Sequence, residues 1–134
     1  MTVVFHLRVV GALMMLLAAS HLGMPRHFRW HEELAGVSLL TRQVFWVHTW
    51  FVCIVLLMMG GLSLFATESL LEHTRLGRLV LGGFAVFWLA RLFCQWFVFD
   101  PSLWRGHRMN TAVHAVFTVL WSYFAAVNAV ACFG

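Results

Sequence analysis

Four side chains are set apart by their position: His48, Arg91, Gln95 and His114 each lie inside a long apolar run. A polar group surrounded by hydrocarbon is costly unless it is partnered, so such residues must face a protein interior, a ligand or water. Arg91 and Gln95 are four residues apart and share one helix face, which Phe84 and Trp88 extend. Asn110, His114, Thr118, Trp121, Ala125 and Asn128 follow one another at steps of three and four. That spacing draws one stripe of polar and small residues along an otherwise apolar helix. Two inward histidines on different helices, His48 and His114, form the pattern that ligates haem b from both sides, or a transition-metal ion with a carboxylate. With Arg91 and Gln95 they can also hold a quinone, the guanidinium polarising a carbonyl and a histidine carrying the proton.

A second group lies earlier in the chain. His21 ends the first apolar run, and His27, His31 and Glu32 follow it. His27 and His31 have the i, i+4 spacing that puts two imidazoles on one helix face, so His21, His27, His31 and Glu32 form a candidate metal set. His107 brings the histidines expected at this end to six of the eight in the chain. Arg91 lies about eight residues, or roughly 12 Å, from the end of its run. It needs a negative partner or several oxygen acceptors there: Glu32 or Glu33 from the long loop, Asp100, a bound anion or a cage of carbonyls. Cys53, Cys94 and Cys132 all sit in apolar runs with no C-x-x-C pair, so they read as small apolar fillers. No second histidine pair is available for a di-haem core.

The elements that must position these residues follow from composition. Of 134 residues, 62% are hydrophobic and 10% charged, against about 25% charged in an ordinary soluble domain. A spanning helix needs roughly 20 mostly apolar residues. Four segments qualify, at residues 3–23, 44–66, 76–99 and 110–132. None alternates with period two, so helices rather than barrel strands are expected. The fold class expected is an all-α integral membrane protein: one membrane domain over residues 1–134, built as a four-transmembrane-helix bundle. The connection at residues 24–43 is long for a helix hairpin. Its aromatic, basic and acidic mixture suggests a short interfacial helix between the first two spans. The first run has no basic segment before it and a poor cleavage site after it, so it reads as a retained helix.

Several classes are excluded or favoured on charge. The net charge of +4 comes from nine arginines spread over separate loops, with no lysine. Without a basic stripe carrying interleaved aromatics, no nucleic-acid partner is expected. Arg26, Arg29, Arg42, Arg105 and Arg108 outnumber Arg8, Arg75 and Arg78, which favours the long loop as cytoplasmic. The expected setting is a bacterial inner membrane, with the lipid bilayer as the first partner. The expected function is haem, metal or quinone binding for redox chemistry and electron transport. The alternative is a non-catalytic subunit of a larger respiratory or photosynthetic complex, associated with other membrane subunits or with copies of itself.

Overall fold

The computed structural model describes residues 2–134, and among them every regular element is helical. Four helices are long and apolar enough to cross a membrane: α1 (Thr2–Ser20), α4 (Leu39–Phe65), α6 (Arg75–Phe93, continued by a π-helical turn at Cys94–Val98) and α7 (Arg108–Phe133). They mark a membrane protein, and their positions match the four apolar runs. The second starts five residues before the expected 44. Ser38 caps it there, its Oγ accepting from the Thr41 N–H at 3.2 Å, and Leu39 and Leu40 extend the apolar surface. Capping chemistry rather than hydropathy sets this boundary.

The chain divides into two compact units, one of Arg8–Ala66 and one in which the stretch up to Leu7 joins Thr67–Gly134. In the first, α1 and α4 approach through glycines. A Cβ on Gly11 would lie 2.8 Å from the Leu64 nitrogen and 2.9 Å from the Gly60 oxygen. In lipid there is little hydrophobic drive between helices, so close backbone approach through small residues supplies the packing energy. The buried positions agree with this seam: Val10, Gly11, Met14 and Ala18 on α1, and Leu56, Met59, Gly60 and Ser63 on α4, all at helical steps.

The long connection contains two one-turn helices, α2 (Met24–His27) and α3 (Trp30–Glu33), then a 3-10 turn at Leu34–Gly36. Arg29 breaks the pair with a left-handed φ of 56°, and it pairs with Glu32. The break lets Trp30 meet Phe45 and Trp46, with ring centroids 5.0 and 6.1 Å apart. The loop therefore seats on the first turns of α4 by aromatic contact.

In the second unit, α5 (Thr67–Leu70) turns the chain into α6, whose cap is Thr74, accepting from the Gly77 N–H at 3.0 Å. The α6–α7 hairpin carries the core. Trp88 stacks on Trp121 at 4.9 Å and meets Phe124 edge-on at 4.7 Å. Beyond them Leu7, Leu70, Leu81, Ala131 and Cys132 cluster at the open end of the hairpin. His6 Nδ1 is hydrogen-bonded to the Tyr123 hydroxyl at 2.8 Å. The polar-and-small stripe on α7 turns inward along the helix: Trp121, Ala125 and Asn128 are buried, Thr118 and His114 half-buried, and Asn110, at its start, exposed.

The Gly11 contact yields a test. Gly11→Ala forces Cβ onto backbone atoms of α4 that have no rotamer to move into, so it should destabilise the protein by about 1–3 kcal/mol. Gly83→Ala, where nothing lies within 4 Å of the added atom, should leave stability unchanged or raise it slightly. Thermal unfolding of the two variants in detergent, read by circular dichroism, distinguishes them.

Candidate functional site

The end of the α6–α7 hairpin next to its connecting loop is built from a chain of local decisions. Asp100 accepts the Ser102 N–H at 2.8 Å and caps the 3-10 turn Pro101–Leu103. Gly106 takes a φ of +80°, which a residue with Cβ adopts only with strain, and turns the chain into α7. The first turn of α7 then clamps the loop. Asn110 Nδ2 donates to the Leu103 carbonyl at 2.8 Å, and Thr111 Oγ1 donates to the Trp104 carbonyl at 2.6 Å. The result lays Trp104 flat on His114, with ring centroids 4.0 Å apart and planes 10° from parallel.

The opposite wall comes from the last turns of α6. Gln95 is buried in the π-helical turn, and its Nε2 lies 2.8 Å from His114 Nδ1. Arg91 donates to Gln95 Oε1 at 3.4 Å. Gln95 thus bridges the guanidinium and the imidazole, and which atom of the Gln95–His114 contact donates follows the tautomer of His114. Trp96 Nε1 donates to Thr118 Oγ1 at 3.2 Å and ties the same turn to α7.

Arg91 lies between aromatic faces. Its guanidinium carbon is 5.2 Å from the Trp121 ring centroid and 5.5 Å from that of Phe99. Phe99 reaches this place because of the π turn, in which the Phe99 N–H bonds the Cys94 carbonyl at 3.3 Å. Eight residues of α-helix would carry Phe99 about 80° past the face of Arg91; the wider turn takes much of that back. Each cation–π contact contributes about 0.5–2 kcal/mol. Asp100, one of the acids expected to pair with Arg91, is committed to Ser102 and lies fully exposed. The Ser102 N–H and hydroxyl hold its carboxyl below the usual range. Glu32, another, pairs with Arg29 in its own unit. Among the described residues of its unit Arg91 meets one amide oxygen and two ring faces, and no carboxylate.

Three buried polar atoms on the same hairpin have no hydrogen-bond partner among the described residues: the indole nitrogens of Trp88 and Trp121 and the Asn128 Oδ1. Their residues are 1%, 4% and 0% exposed. Orphan buried polar atoms of this kind are rare in native structures and call for an explanation. Asn128 spends its amide nitrogen on the Phe124 carbonyl at 2.8 Å.

Of the four residues expected to act together, Arg91, Gln95 and His114 form one connected row. His48 lies in the other unit, exposed, with Nδ1 donating to the Val44 carbonyl at 2.8 Å on its own helix. His21 does the same to Leu17 at 2.8 Å. His27 meets Phe28 edge-on, His31 lies over Trp46 at 4.9 Å, and Glu32 serves Arg29. Among the described residues no group of three or more His, Cys, Asp or Glu side chains is gathered for a metal ion, the set His21, His27, His31 and Glu32 included. The stripe spacing pointed to Thr118 and Trp121. The Trp104 stack and the Phe99 contact had no sequence signal beyond an aromatic in a short loop and a run of aromatics before Pro101. Compared with known protein families, curated proteins and solved structures, the chain has no match.

Two measurements test the geometry. A double-mutant cycle with Gln95→Leu and His114→Phe should return a coupling of about 0.6–1.7 kcal/mol, the range of interhelical hydrogen bonds in membranes; additive effects would mean the two side chains do not interact. The capping carboxylate sets a pH dependence. Its pKa in the folded chain is depressed, so its contribution is fully present above the ordinary carboxylate value. The contribution is lost as pH falls through the lower folded value, below about pH 4. Trp104 fluorescence should change in that window, and Asp100→Asn should remove most of the change.

Proposed function

We propose that the Arg91–Gln95–His114 row binds the oxygen atoms of a planar, carbonyl-bearing ligand of the quinone class at one membrane face, in support of redox chemistry. The observation that carries this reading is a row of donors without an acid. The Arg91 guanidinium has donors left over after Gln95, and His114 keeps its second ring nitrogen once Nδ1 is taken. The indole N–H groups of Trp88 and Trp121 lack acceptors. Donors in excess call for a ligand of acceptors, and a quinone offers two carbonyl oxygens. The surrounding rings of Trp104, Trp121 and Phe99 suit a flat, apolar body.

The second reading, a subunit of a larger assembly in a bacterial inner membrane, is favoured by the large exposed rings of Trp50, Phe51, Trp96 and Phe97. Such rings suit either lipid or a partner helix.

Titration of the purified protein with a short-chain quinone, followed by quenching of tryptophan fluorescence, tests the proposal. Saturable quenching is expected. Arg91→Leu and His114→Phe should each weaken it about tenfold to a hundredfold, the worth of a hydrogen bond to a charged or buried group. A Soret band in the purified protein would replace the quinone reading with haem. Quenching that neither substitution alters would place the ligand elsewhere.

A further inference from the structure

The opposite end of the same hairpin holds a second feature, independent of the ligand reading at Arg91. A cleft of about 600 Å³ lies where α6 begins and α7 ends, lined by His73, Arg75, Arg78, Leu79, Cys132 and Phe133. We propose that it seats the headgroup of an anionic phospholipid.

The argument begins with depth. Arg75 is the first residue of a membrane-length helix and Phe133 the last of its antiparallel neighbour. The start of α6 and the end of α7 therefore lie together at the open end of the hairpin, at the level of headgroups. The lining has two chemistries. His73, Arg75 and Arg78 supply donors and positive charge, and none of the lining residues is acidic. Leu79 and Phe133 supply apolar surface, and Phe133 is almost fully exposed. A free anion has no use for that apolar edge, whereas a phospholipid carries a phosphate and acyl chains joined at this depth.

Local geometry favours the phosphate. Arg75 and Arg78 are three residues apart and lie side by side on α6. They sit in its first turn, where the helix dipole adds partial positive charge. Thr74 takes the Gly77 N–H, and the Arg75 and Leu76 N–H groups have no hydrogen-bond partner among the described residues. His73 is held in a left-handed conformation, φ 55°, just before the cap. Cys132 Sγ donates to the Arg78 carbonyl at 3.3 Å and joins the end of α7 to the cleft floor. The contrast with the cleft of about 530 Å³ beside Arg26 and Arg29 is informative: there Glu32 is part of the lining and neutralises Arg29.

Native mass spectrometry of the full chain in neutral detergent tests the proposal, with dihexanoyl phosphatidylglycerol, dihexanoyl phosphatidylcholine and inorganic phosphate titrated separately. Phosphatidylglycerol should bind one to one, well ahead of the other two. Arg75→Gln with Arg78→Gln should weaken it about thirtyfold, since each arginine near an anionic surface is worth about fivefold. Arg75→Lys with Arg78→Lys should keep most of the binding. Equal binding of phosphatidylcholine, equal binding of inorganic phosphate, or an unchanged glutamine variant would each overturn the proposal. Should the glutamine variant fail to fold, added salt applied to the unmodified protein decides: binding that falls with salt supports the site, and binding indifferent to salt overturns it.

Discussion

An arginine inside an apolar helix, with no carboxylate paired to it among the described residues of its own unit, sets the terms for one end of this protein. A guanidinium cannot be deprotonated to escape the cost of burial, so the surrounding chain must supply the compensation. It comes from three directions. Gln95 gives an amide oxygen one turn along, Trp121 gives a ring face from α7, and Phe99 gives another from the end of α6. Each depends on a different structural device. The amide needs only helical spacing, Trp121 needs the hairpin packing around Trp88, and Phe99 needs the π-helical turn. A regular α-helix through Val98 would withdraw one of the two ring faces.

The loop that follows is organised by the same requirement. It has few residues with which to close an antiparallel hairpin, and four of the residues in and beside it set its course. Asp100 fixes the entry turn, Gly106 supplies the left-handed step, and Asn110 and Thr111 take up loop carbonyls. Buried or interfacial backbone groups must find partners, and here their satisfaction also positions a side chain. Trp104 is carried onto His114, which shields one face of the imidazole while Gln95 occupies one edge.

These layers were unequally legible in the sequence. The four long helices followed from apolar run length alone, because hydrocarbon thickness leaves few alternatives. The inward stripe of α7 followed from steps of three and four, and Trp121, Ala125 and Asn128 are buried as that spacing requires. The pairing of Arg91 with Gln95 came from i, i+4 geometry. What spacing could not reveal was the nature of Arg91's compensation. A charge argument asks for acids, anions or oxygen acceptors, but quadrupoles of aromatic rings meet part of the same need. The π turn was also hidden, since no residue pattern in Cys94–Val98 separates it from a continuing α-helix. The spacing of His27 and His31 implied a shared helix face, but Arg29 between them adopts a left-handed backbone, so no continuous helix joins the two.

The α6–α7 hairpin thus carries opposite chemical characters at its two ends, and its middle explains how they coexist. At the loop end the donors are enclosed by rings and held in a fixed row. At the open end the arginines are exposed and face a cleft with an apolar edge. Between them lies a tightly packed aromatic core in which Trp88 and Trp121 stack with their indole nitrogens unpaired. Stacking fixes the ring planes, so these nitrogens cannot turn to find a backbone carbonyl without breaking the contact that holds the helices together. A packing optimum has therefore been kept at the expense of two hydrogen bonds, each unmade bond costing about 1–3 kcal/mol. Apolar rings in the same places would stack as well without that cost. The retention of indoles rather than phenyl rings is the feature least explained by packing.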